Sequence, residues 1–88
     1  MKVVDFGKIK VHFTFEGEPV EMDMRKVIGN IIHQNTNDLG LDEFARKVYF
    51  SDGPVEIPDE YINPILGIVK SSMTVPAQKS LNELLINE

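Results

Sequence analysis

The chain has 88 residues, of which 42% are hydrophobic and 26% charged, and its formal net charge is −5. This length predicts a single domain over residues 1–88, and the composition excludes an intrinsically disordered chain. The lack of cysteine excludes a disulfide framework and a thiolate nucleophile, and the acidic balance disfavours non-specific binding to nucleic acid.

The chain shows no sequence signal for export or for membrane insertion. Its first seven residues lack the apolar run of a signal peptide, and no later segment is long and apolar enough for a membrane span. Small exported domains usually need disulfides, and this chain has no cysteine. We therefore expect a cytoplasmic protein with no membrane association.

Two segments in which apolar and polar residues alternate predict an N-terminal β-hairpin. Every second residue is apolar in residues 8–15 and again in residues 20–24. Whether the connection is a two-residue turn or a longer loop, centring it on Gly17 and Glu18 gives the pairs Phe15 with Val20, Phe13 with Met22 and Val11 with Met24. We expect a buried face formed by Ile9, Val11, Phe13, Phe15, Val20 and Met22. The same register places His12 beside Asp23 on the solvent side.

Two helical segments follow the hairpin. The first begins after Asp23, a candidate cap, and runs to about Gln34. Gly29 lies inside this helix at a cost of about 1 kcal/mol relative to alanine, which predicts that another element packs closely there. Residues 35–40 are expected to form a loop, and the second helix is expected over 42–50.

The C-terminal half predicts one short extended segment and two more helices. Residues 55–57 lie between two prolines and predict either a short third strand or merely an extended segment. The third helix contains Pro64, which lacks an N–H group, so we expect an element that is broken or kinked and ends near Ser71. It either begins at a cap on Asp59 or restarts at Pro64. Residues 74–76 open the fourth helix.

The expected fold is therefore α+β, with the N-terminal hairpin packed against three or four short helices. No residue pattern predicts an enzyme: the serines lie in no nucleophile elbow, and the glycines are too dispersed for a phosphate loop. We predict no catalytic residue and no cofactor.

No metal site is predicted either. Residues 35–40 are rich in oxygen ligands, but Leu39 and Arg46 occupy positions where a calcium loop needs oxygen ligands. The chain therefore favours a capped loop between helices. His33 has no second good transition-metal ligand at helical spacing and is expected on a solvated polar face, and His12 is expected on the surface.

Two sets of residues are candidate interaction surfaces. The first is the basic side of the first strand, which consists of Lys8, Lys10 and His12. The second is apolar and consists of Met24, Leu81, Leu84 and Leu85. These apolar side chains either close one core or contact a partner, because their number is large for so small a domain. The basic side lacks interleaved aromatic residues and a recognition helix, so nucleic-acid binding is the alternative and not the leading hypothesis.

The stretches 22–30 and 53–60 resemble small uncharacterised proteins of prophages and other mobile elements. The resemblance covers the middle of the chain and transfers no catalytic residue. It implies a host–phage or mobile-element context, in which short accessory proteins bind other proteins. The leading expectation is a protein-interaction module whose partner is another protein or a second copy in a homodimer. The alternative is a nucleic-acid-binding accessory protein.

Overall fold

A computed structural model describes residues 2–86 and has the expected α+β architecture. The strands are β1 (Lys2–Val4), β2 (Ile9–Val11), β3 (Val20–Met22) and β4 (Val55–Ile57). The helices are α1 (Arg25–Asn35), α2 (Leu39–Tyr49), α3 (Asp59–Ser72) and α4 (Val75–Leu85). The predicted fold class is confirmed, and β4 is the short strand expected at residues 55–57.

The strands form two separate antiparallel pairs. β1 pairs with β4, so that Val4 lies opposite Val55, and β2 pairs with β3. The sequence does not predict β1, because three residues are too few to show an alternating pattern. The first pair joins the start of the chain to the segment between α2 and α3.

The register of the predicted hairpin is wrong. Val11 lies opposite Val20, and Ile9 lies opposite Met22, so residues 12–19 form the connecting loop instead of the strand ends. The predicted buried face is consequently wrong in part. Ile9 and Val11 are each 1% exposed, whereas the other four side chains of that face are exposed. They are Phe13, Phe15, Val20 and Met22.

Helix α4 explains why the buried face ends at β2. α4 packs against β2 and α3, and the Ser80 hydroxyl donates to the carbonyl oxygen of Lys10 at 2.8 Å. β3 lies beyond β2 and packs mainly against it. Val20 and Met22 on β3 therefore share the side of Ile9 and Val11 but stay exposed.

Helices α1 and α2 pack closely together at Gly29, as the sequence predicts. A Cβ atom at Gly29 would lie 2.9 Å from the Cβ of Tyr49 and 3.0 Å from the carbonyl oxygen of Ala45. α2 begins at Leu39, three residues earlier than expected. It can do so because the Asp38 carboxylate accepts the N–H of Gly40 at 2.9 Å and caps the helix.

Helix α3 is continuous through Pro64, so of the two predicted outcomes a break is wrong, and a kink stays a prediction. Proline removes the hydrogen bond that its N–H would have donated to the carbonyl of Glu60. Both residues are exposed, so water can solvate the free carbonyl. The buried side of the helix carries Ile65 and Val69, and its packing holds the helix together across the missing bond.

One core joins β1, β2, β4 and all four helices. Its buried hydrophobic side chains are Val4, Phe6, Ile9, Val11, Met24, Ile28, Ile32, Leu41, Phe44, Ala45, Val48, Ile57, Ile65, Val69, Ala77, Leu81 and Leu85. Every buried side-chain nitrogen or oxygen atom in residues 2–86 has a hydrogen-bond partner. The core therefore needs no further group to satisfy a polar atom within it.

Candidate interaction surface

The predicted basic residues lie on the surface, as expected. Lys8, Lys10 and His12 are exposed. Lys10 lies opposite Glu21 in the β2–β3 register, which partly compensates its charge. The predicted contact between His12 and Asp23 is wrong, because His12 lies in the connecting loop and Asp23 binds a different residue.

Three of the four predicted apolar surface residues belong to the core instead. Met24, Leu81 and Leu85 are buried, and only Leu84 is exposed. The Met24 N–H also donates to the carbonyl of Phe6 at 2.8 Å. The sequence left two interpretations open for these apolar residues, closure of one core or contact with a partner. The structure supports closure of the core for Met24, Leu81 and Leu85.

A different set of apolar side chains forms the exposed surface, and we call it the hairpin patch. It consists of Phe13, Phe15, Val20, Met22, Val27 and Val75, all of which are exposed. The alternating sequence pattern predicts a buried position for four of them, Phe13, Phe15, Val20 and Met22. One feature of the sequence could have indicated this surface: the chain has more apolar residues than one small core can bury.

Two grooves meet at Phe13 and make the hairpin patch continuous. A groove of about 400 Å³ runs between the connecting loop and the start of α4, where Phe13 and Phe15 face Val75. A second groove of about 280 Å³ runs from Phe13 past Met22 to Val27 of α1. The patch is therefore concave in two places, which gives partner side chains somewhere to insert.

Charged side chains surround the hairpin patch. Lys79 lies over the ring of Phe15, with its Nζ atom 5.9 Å from the ring centre. Glu83 lines the same groove, while Glu16, Glu18 and Glu21 are exposed in the loop and on β3. An apolar centre with a charged rim is the usual composition of a protein–protein interface.

Asp23 forms a tight ion pair at the end of the hairpin. Its carboxylate accepts from the Nη2 atom of Arg25 at 2.6 Å, from Nε at 2.9 Å and from the Arg25 backbone N–H at 3.1 Å. The side-chain hydrogen bonds, followed by the backbone one, lower the pKa of Asp23 to about 2. Arg25 also donates to the carbonyl of Ser51 at 2.6 Å, so it joins the hairpin to the end of α2.

We predict a pH dependence from this pair. Because the pKa of Asp23 is lower in the folded chain than the ordinary value of 3.8, the pair stabilises the fold above about pH 4 and ceases to do so as the pH falls towards 2. Carbon-13 NMR of the Asp23 carboxyl should show a midpoint near 2. Arg25→Met should return the midpoint towards 3.8, whereas Lys26→Met should move it much less, and equal shifts in both variants would contradict the assignment.

A third, more polar groove lies between α1 and α2. It measures about 360 Å³ and includes His33, Asp42, Arg46 and Tyr49. The Nδ1 atom of His33 lies 2.5 Å from an oxygen of Asp42. His33 is exposed on a polar face, as predicted, but the residues that line this groove include no serine or threonine that the imidazole could activate.

The loop between α1 and α2 is shorter than predicted: it consists of residues 36–38, because Asn35 ends α1 and Leu39 begins α2. Thr36 accepts the N–H of Asp38 through its hydroxyl oxygen at 3.1 Å, and Asp38 in turn caps α2. The predicted cap is therefore confirmed, and the predicted loop bounds of 35–40 are wrong. Over residues 2–86, no three histidine or acidic side chains come together as metal ligands would.

Among the helices of residues 2–86, none combines the length and the apolar character needed to cross a bilayer.

Comparison with known proteins identifies no relative of this chain. The chain matches no family model, no curated protein and no solved structure. The resemblance to prophage and mobile-element proteins stays a prediction.

Proposed function

We propose that the protein is a small protein-interaction module and that the hairpin patch is its binding surface. The observation that carries this proposal is the exposure of two phenylalanines that line the same groove, Phe13 at 53% and Phe15 fully exposed. Exposed apolar side chains at a groove are typical of partner sites, because burying them on binding releases water from apolar surface. We place the module in the cytoplasm, in the setting of a prophage or another mobile element.

The charge distribution favours a protein over nucleic acid as the partner. Lys10 is opposed by Glu21, and three glutamates lie in the connecting loop and on β3. Together with the net charge of −5, these acids would repel a phosphate backbone at the place where aromatic side chains are available for stacking. Nucleic-acid binding through Lys8, Lys10 and His12 remains the alternative.

In-cell photo-crosslinking tests the proposal. A photoreactive phenylalanine analogue in place of Phe15 should give adducts with one or a few defined proteins. The matched control places the same analogue at Phe50, which is 67% exposed but lies in the groove between α1 and α2. An adduct of twice the chain mass would identify a second copy as the partner.

The adducts at position 15 should disappear in Phe13→Ser, because that change removes the side chain shared by the two grooves. Circular dichroism should show that this variant stays folded, since Phe13 is not part of the core. Equal adducts from positions 15 and 50, or none from position 15, would refute the assignment of the surface.

A further inference from the structure

The outer edge of β3 is an unpaired strand edge. Within residues 2–86, β3 pairs with β2 on one side only, and all three of its residues are exposed. The outer edge of β2 differs, because α4 covers it and Ser80 occupies the carbonyl of Lys10. Of the two edges of this hairpin, β3 therefore offers the one at which another strand can be added.

The pairing within the hairpin determines which backbone groups face that edge. In an antiparallel ladder, residues opposite each other alternate between pairs that exchange two hydrogen bonds and pairs that point away from each other. The Lys10 carbonyl points to Ser80, so Lys10 and Glu21 form a pair of the second kind. The N–H and carbonyl of Glu21 consequently point to the outer edge of β3.

The side chains of β3 then specify the sequence that fits. A residue that exchanges both hydrogen bonds with Glu21 has its side chain beside the carboxylate, where lysine or arginine is favoured. Its two neighbours lie beside Val20 and Met22, which are exposed and belong to the hairpin patch. The strand already paired with β3 has this pattern, because Lys10 lies opposite Glu21 between Ile9 and Val11.

A second copy of β3 does not fit this edge. Pairing over all three residues places Glu21 opposite Glu21 in either strand direction, and like charges directly opposite each other are destabilising. Pro19, directly before the strand, also has no N–H with which to lengthen the pairing. The edge is therefore protected against self-association and open to a strand of opposite charge.

We propose that the partner adds an extended segment with alternating apolar and basic residues to the outer edge of β3. This inference rests on the proposed function and names the chemistry of its partner. Backbone hydrogen bonds to Glu21 set the register of the added strand, its basic side chain faces the Glu21 carboxylate, and its apolar side chains extend the hairpin patch.

An NMR titration with defined peptides tests the inference. The probe is an end-capped octapeptide of alternating valine and lysine, added to nitrogen-15-labelled protein at physiological salt. The amides of residues 20–22 should shift, and the Glu21 amide should exchange more slowly with solvent. A peptide of alternating valine and glutamate should bind about tenfold more weakly, since each opposed charge pair changes from favourable to unfavourable.

Two controls separate strand addition from charge attraction. A valine–lysine peptide methylated at every backbone nitrogen keeps its side-chain charge but has no N–H group to donate from either edge, so it should not protect Glu21. The double variant Lys10→Glu with Glu21→Lys keeps an opposite-charge pair within the hairpin and reverses the charge at the edge. It should prefer the valine–glutamate peptide.

Equal binding of the methylated peptide, or an unchanged preference in the double variant, would overturn the inference. So would shifts at residues 20–22 that depend on protein concentration without peptide, because they would indicate a second copy at this edge. If position 15 gives crosslinks but the peptide causes no shifts at β3, the proposed interaction module is supported and only the proposed strand addition is refuted. Peptide binding at β3 without crosslinks would remove the proposed surface at Phe15.

Discussion

Leu81→Ala should lower the free energy of unfolding by about 2–5 kcal/mol, the range for removing a large aliphatic side chain from a packed core. Leu81 is 0% exposed and belongs to the core that α4 shares with β2 and α3. The change removes three carbon atoms and leaves a cavity that the short helices around it can fill only in part. Urea denaturation followed by circular dichroism at 222 nm measures the effect.

Leu84→Ala is the matched control, because it makes the same chemical change in the same helix. Leu84 is 40% exposed, so the free energy of unfolding should change by only about 0.5 kcal/mol. The slope of the unfolding free energy against urea should stay the same in both variants. Similar losses at the two positions would mean that α4 does not face the core with Leu81.

The helices could be predicted largely from the sequence because each one has apolar residues at helical spacing that form a buried stripe along one side. In α2, Leu41, Phe44, Ala45 and Val48 recur at helical spacing, and all four are buried. The start of α2 was predicted three residues late, because the cap bond from Asp38 depends on the local path of the loop. A stripe identifies a helix better than it identifies the helix end.

The hairpin could be predicted only in part, because alternation shows which residues share a side of a strand and not whether anything covers that side. Phe13 and Phe15 continue the pattern of Ile9 and Val11, but pairing between the strands ends at Val11. Its extent depends on where α4 packs, and that is a tertiary contact between residues far apart in sequence.

The same limit affects the candidate site. Leu81, Leu84 and Leu85 form one helical stripe in the sequence, yet the structure buries two and exposes the third. The width of the buried stripe depends on the neighbours of the helix, and spacing alone does not supply it. The exposed lysines were identified correctly because charged side chains are buried only when they are paired.

Gly29→Ala should lower the free energy of unfolding, although alanine is the better helix former. The added Cβ would lie 2.9 Å from the Cβ of Tyr49 and 3.0 Å from the backbone oxygen of Ala45, and neither atom is the movable end of a side chain. Helix α2 must therefore shift away from α1. Overpacking of this kind costs about 1–3 kcal/mol, and the gain in helix propensity of about 1 kcal/mol offsets only part of it.

Gly67→Ala separates the two contributions to that result. Gly67 also lies inside a helix, α3, but a Cβ at this position would meet no heavy atom within 4 Å. Only the propensity gain remains, so this variant should raise the free energy of unfolding by up to about 1 kcal/mol. Opposite signs in the two variants under thermal and urea denaturation would attribute the cost at Gly29 to the close approach of α1 and α2. Stabilisation by both would mean that the helices can separate without loss, and then the tight packing at Gly29 would not be what holds α2 in place.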